Sequence, residues 1–200
     1  ILSTPSTILI FLMPIFSPII SLPAFMISLY RKERYVVGTI MTNKAIEKEL
    51  KKIGTTLIRT NVGDKYIARI MKSKKYKIGA EESGHVIIDD FTTTGDGMIT
   101  ALYLLNIFVE NKDIFSKCSK LNVYSTIKKE VLTNKKDIVK NPDVNMFIKE
   151  KENVLGESGR IIVRASGTEN KIRITVECEN NELLQAFSKY EIAISTPSLF

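Results

Sequence analysis

No tryptophan, a single histidine and only two cysteines occur in the 200 residues of this chain. Cys118 and Cys178 lie far apart, and there is no C-x-x-C pair, which removes a zinc ribbon from consideration. They read as reduced, partly buried thiols of a cytosolic protein. A disulfide between them stays open, although nothing in the sequence asks for it. There is no arginine-rich run and no aromatic-plus-glycine pattern of an RNA-binding sheet. Both absences argue against a nucleic-acid partner. Acidic residues are outnumbered, 22 against 29 Lys and Arg, for a formal net charge of +7. That balance favours anionic partners such as phosphate esters or a membrane surface, although lysine is also the ordinary residue of a solvated face.

Charge is missing altogether from residues 1–30, ILSTPSTILIFLMPIFSPIISLPAFMISLY, before Arg31 opens a basic run. An uncharged run of this length suggests a membrane span over residues 8–30. A signal peptide fits less well, because the basic residues follow the apolar run. Pro14, Pro18 and Pro23 would interrupt a helix repeatedly, and there is no starting Met. The reading favoured here is an apolar leader over residues 1–34 that does not belong to the protein proper, from a shifted reading frame or a degraded gene.

What remains has the apolar and charged content of an ordinary globular protein and the length for two small domains. From Tyr35, apolar β-rich runs (YVVGTIM, TTLIRT) alternate with segments of helical spacing, such as Ile46, Leu50 and Ile53. The alternation argues for an α/β domain over residues 35–112. It includes a last helix, MITALYLLNIFVE, apolar nearly all round and therefore expected to be buried. Asp64 and Asp96 are expected to cap helices. A lysine-rich linker over 113–125 leads to an α+β domain over 126–200, in which Pro142 opens a helix and GRIIVRASGTENKIRITVECE makes two strands around a glycine turn.

Two clusters carry chemistry. In GAEESGHVII an extended strand would place Glu81, Ser83 and His85 on one face. A carboxylate, a hydroxyl and an imidazole suit a polyol, and the histidine could act as a general base. A solvated surface turn would explain the same residues. In RASGTEN, Arg164 offers a planar fork suited to phosphate, Ser166 and Thr168 add hydroxyls, and a turn at Gly167 could present backbone N–H groups to an anion. Lys171 and Arg173 add positive charge nearby. A hairpin turn needs the glycine, but it does not need Arg, Ser and Thr around it.

VVGTIMTNKAIEKELKKIG, VGDKYIARIM, GAEESGHVIIDDFTTTGDGMITAL and RIIVRASGTENKIRITVE follow one another in an order and at distances that resemble the C-terminal half of the phosphoglucosamine mutases, in the phosphohexomutase superfamily. The resemblance covers residues 34–179 and implies two of four domains built around a cleft: an incomplete third α/β domain and a small α+β fourth domain. It implies interconversion of glucosamine 6-phosphate and glucosamine 1-phosphate on the way to UDP-N-acetylglucosamine. By the resemblance, Glu81 and Ser83 are sugar ligands and His85 is a cleft residue that aids proton transfer. Arg164, Ser166, Gly167 and Thr168 clamp the phosphate that is not reacting, with Arg173 as helper.

The departures are as specific. The phosphoserine of the first domain and the magnesium-binding D-G-D-G-D loop of the second have no counterpart here, and the lone G-D-G at 95–97 stands in another context. Asn170 replaces the usual proline after Thr-Glu, and the closing YEIAISTPSLF is expected to be altered too. The expectation is a cytoplasmic chain that binds a phosphorylated amino sugar and is inactive alone, its missing N-terminal domains supplied separately if at all. The alternatives are a non-catalytic phosphosugar-binding module and an unstable gene remnant.

Overall fold

A computed structural model describes residues 22–118 and 120–194. The chain divides after Val123 into two units. The first is built on strands β1 (Tyr35–Thr39), β2 (Thr56–Thr60), β3 (Ile78–Ala80) and β4 (Val86–Ile88) in the order β2-β1-β3-β4. β1 runs parallel to β2 and β3, and β4 returns antiparallel to β3. A parallel strand inside a sheet must be covered on both faces, which is why the successive residues Val36 and Val37 are both apolar and buried. Val36 faces one core with Ile46 and Leu50 of α2 (Lys44–Lys52), while Val37 faces another with Ile67 and Met71 of α3 (Asp64–Lys74).

The reading of residues 1–34 as a leader is corrected from Leu22 onward. Leu22–Arg31 is a helix, α1, whose Phe25, Met26 and Ile27 lie in the larger core beside Val36, Ile78 and Ile88. Pro23 is the second residue of the described helix and is buried. At the other end Arg31 pairs with Glu33 and with Asp90, and Asp90 also pairs with Lys77 at 3.1 Å. Those cations hold the Asp90 carboxyl below the usual carboxylate range. The expectations for residues 1–21 and for the tail after residue 194 lie outside the described residues. Among the described residues no helix is long and apolar enough to cross a membrane.

Two further expectations change. The linker expected over 113–125 begins as a helix of the first unit: α5 (Lys112–Cys118) buries Ile114 and Cys118 in the same core. The preceding α4 (Gly97–Glu110) buries Thr100, Leu104 and Ile107, but Met98, Leu102, Leu105 and Val109, spaced along one side, are exposed. Apolar composition marked this helix for burial; among the described residues only one of its faces is covered.

The second unit is α+β. Strands β5 (Ser125–Leu132), β6 (Gly159–Ala165) and β7 (Lys171–Cys178) form an antiparallel sheet in the order β5-β7-β6. Its helices are α6 (Pro142–Leu155) and α7 (Asn181–Ile194). Pro142 does open α6, with Asn141 as the cap accepting from Asp143 N at 2.8 Å. Alternation assigns the two faces of the sheet. Ile161, Val163, Ile172, Ile174 and Val176 pack with Leu155, Leu184 and Phe187. The opposite face carries Arg160, Arg164, Arg173, Glu177 and Glu130 in cross-strand register. Cys118 and Cys178 are free and buried, one in each unit, and burial pushes the Cys118 thiol up to about 12.

Candidate functional site

Glu81–His85 joins β3 to β4. It is a tight hairpin turn, not the extended strand read from the spacing. Glu81 N donates to His85 O at 2.9 Å and Gly84 N to Glu81 O at 3.1 Å. Gly84 has φ +100°, a conformation that requires glycine. The turn still brings the three side chains together. Ser83 Oγ lies 2.9 Å from Glu81 Oε2 and 2.8 Å from His85 Nδ1. An ionised carboxylate only accepts, so the single Ser83 proton goes to Glu81 and the hydroxyl oxygen accepts from His85 Nδ1–H. The network thereby assigns the Nδ1–H tautomer when the imidazole is neutral, leaving the Nε2 lone pair outside the cluster. Glu81 is buried, whereas Ser83 and His85 are exposed.

The topology places this cluster where an α/β sheet binds ligands. The chain passes from β1 to β2 on one side and then crosses to β3 on the other, so the order reverses at β1. Loops at the carboxyl ends of strands beside such a reversal line a crevice, and Glu81–His85 leaves the carboxyl end of β3.

Gly95, the first residue of the G-D-G at 95–97, packs directly against His85. A Cβ there would stand 2.7 Å from His85 Cβ and 3.1 Å from its Cα. Gly95→Ala is therefore expected to displace His85 and to weaken about tenfold the binding of a ligand held at this turn, the worth of roughly one hydrogen bond; calorimetry measures this, and an unchanged affinity would mean that His85 makes no contact. Asp96 caps α4 as expected, accepting from Ile99 N at 2.9 Å. Asp64 does not cap α3: the cap position is Gly63, and Asp64 bonds its own neighbour Lys65 N at 2.7 Å.

In the second unit Ser166–Asn170 joins β6 to β7. Ser166 N donates to Lys171 O at 2.8 Å, closing the loop, and Lys136 Nζ donates to Ser166 O at 3.1 Å. Ser166 is buried at the base, its hydroxyl accepting from Glu169 N at 3.3 Å, while Gly167 and Thr168 are exposed at the tip. Nothing lies within 4 Å of a Cβ built on Gly167, and its φ is not left-handed. The loop itself therefore gives no reason for a glycine there; close approach by a ligand would. Arg164 and Arg173 stand directly opposite each other on β6 and β7. Arg173 is engaged by Glu169 at 2.8 Å and Glu130 at 3.1 Å. Hydrogen bonds from Lys171, and after it Arg173, hold the Glu169 carboxyl below its usual value.

The described chain is thus an α/β unit followed by an α+β unit whose β6–β7 loop is flanked by Arg164, Lys171 and Arg173. The chain belongs to the phosphoglucomutase/phosphomannomutase family: the α/β/α domain III matches residues 22–124 and the C-terminal domain residues 127–193. Similar curated relatives are the phosphoglucosamine mutases of Finegoldia magna, 41% identical over 77% of this chain and 35% of that protein, and of Bartonella bacilliformis, 38% identical over 76% and 34%. This chain thus spans about a third of the length of those relatives. Among solved structures, an N-acetylglucosamine-phosphate mutase in its substrate complex gives a TM-score of 0.68 at 19% identity, over 90% of this chain and 43% of that one. The Aspergillus fumigatus N-acetylphosphoglucosamine mutase with GlcNAc-6P and magnesium gives 0.68 at 16% identity, over 89% and 43%. At these identities the structures speak for the fold.

Proposed function

We propose that this chain is the sugar-reading and phosphate-holding part of a phosphoglucosamine mutase, a cytoplasmic enzyme that interconverts glucosamine 6-phosphate and glucosamine 1-phosphate. The observation that carries the reading is the hydrogen-bonded Glu81–Ser83–His85 cluster at the ligand-binding end of a sheet whose family match is domain III. The hairpin loop flanked by Arg164, Lys171 and Arg173 within the matched C-terminal domain and the names of the curated relatives support it.

In this reading Glu81 accepts from a sugar hydroxyl. Ser83 keeps the carboxylate and the imidazole in register, and His85 takes or returns a hydroxyl proton at Nε2. Arg164, the Gly167 backbone and Thr168 hold the phosphate that does not react. Binding energy from that remote group orients the reacting end. The nucleophilic serine and the magnesium loop of the proposed enzyme have no counterpart among these residues. Among the described residues no three His, Cys, Asp or Glu side chains converge as a metal site. No step assigned to this chain runs through magnesium.

The test is calorimetry of the purified chain with glucosamine 6-phosphate and glucosamine 1-phosphate, with unphosphorylated glucosamine as comparator. Binding that requires the phosphate supports the reading, and its absence for both phosphorylated sugars ends it. The same preparation is expected to show no turnover of glucosamine 6-phosphate; measurable turnover would overturn the assignment of the nucleophile to a part outside this chain.

A further inference from the structure

Four side chains close a ring of ion pairs beneath the Ser166–Asn170 loop. Lys171 Nζ lies 2.7 Å from Glu130 and 2.9 Å from Glu169, and Arg173 lies 3.1 Å from Glu130 and 2.8 Å from Glu169. Three of the four stand on β5 and β7; only Glu169 belongs to the loop. Arg173 is the residue directly opposite Arg164. Two guanidinium groups side by side on neighbouring strands repel each other unless an anion lies against one of them. In this structure the loop's own carboxylate is one of the anions that neutralise Arg173.

The two cations differ in how firmly they hold Glu169. The Lys171 side chain is 11% exposed, so its ammonium has little water to exchange for a carboxylate partner. The Arg173 side chain is 34% exposed and that of Glu169 is 50%, so their bond is open to exchange with an anion from solution.

We propose that Glu169 is an internal competitor for phosphate. With no ligand its carboxylate holds Arg173. An arriving phosphate takes the Arg173 guanidinium as a second fork beside Arg164, while Glu169 stays on Lys171. The residue thereby weakens the clamp by a set amount and keeps the bound phosphate releasable. This rests on the reading of the loop as a phosphate clamp.

The experiment titrates inorganic phosphate, then glucosamine 6-phosphate, into the full chain by calorimetry at several salt concentrations. Glu169→Gln keeps the volume, an acceptor oxygen and the backbone N–H bond to Ser166 Oγ, removes the charge and exchanges the second acceptor for an N–H donor. It is expected to bind phosphate about three- to fivefold more tightly, the size of one exposed ion pair, with a steeper loss of affinity on adding salt. Glu169→Asp, which retains the charge, is expected to bind as the natural chain does. In Glu169→Gln/Arg173→Gln the gain is expected to vanish. Glu169→Gln binding no tighter than the natural chain, where Arg164→Ala weakens binding, overturns the competitor role and leaves the clamp standing. No phosphate binding by any variant overturns both.

Discussion

Arg164→Ala is expected to weaken phosphosugar binding by the purified chain by about thirtyfold or more. Arg164 sits at the end of β6, one residue before the loop turns out of the sheet, on the face that carries the polar side chains. Its planar fork can make two parallel bonds to a phosphate. The facing cation, Arg173, is paired with Glu130 and Glu169 and has only its own fork to offer, so it cannot also supply the bonds of a missing Arg164. Truncating one member of a hydrogen-bonded charge pair at a binding surface costs about 2–5 kcal/mol, and each ~1.4 kcal/mol is tenfold in affinity. The dissociation constant should therefore rise by roughly thirtyfold at least. Arg164→Lys keeps the charge but loses the fork, and should fall between the two. Calorimetry gives the affinities, and a thermal midpoint near that of the natural chain separates lost binding from lost fold. Unchanged affinity in Arg164→Ala would remove the hairpin loop as the seat of the phosphate.

Much of this fold could be read from local pattern. YVVGT, the Ile46–Leu50 spacing and the hairpin GRIIVRASGTENKIRITVEC show their strands and helices through apolar period alone, and the structure forms them. What failed had one physical cause, that a side chain's partner lies elsewhere in the chain. Met26 and Ile27 are consecutive and both fully buried, so α1 has no polar face by which period could mark it as part of a globular domain. Alternation in GAEESGH describes equally well a strand or a turn that gathers the same three groups, and Gly84 selects the turn. The ring formed by Glu130, Glu169, Lys171 and Arg173 depends on the register of β5 against β7. No reading of the RASGTEN loop by itself contains Glu130.

The second large effect belongs to α1. Met26→Ala should lower the stability of the chain by about 2–5 kcal/mol, the range for truncating a buried methionine where the cavity cannot fully collapse. Met26 is 0% exposed and lies in the same cluster as Val36 of β1, Ile78 of β3, Leu104 of α4 and Ile114 of α5. A cavity there is walled by helix on one side and sheet on the other, and relaxation would have to move both. Urea unfolding measures the loss. Hydrogen exchange gives its location, because the amides of Val36 and Val37 should lose protection while those of Ile174 and Val176 keep theirs. The comparison decides what residues 22–34 are. An appended leader contributes no core, so its truncation at Met26 would leave the denaturation midpoint and the β1 amides unchanged. A structural helix of the domain III match cannot be trimmed at its fully buried position without cost. An unaltered midpoint for Met26→Ala would return this segment to the status of a leader and leave the face of the sheet it covers without an explanation.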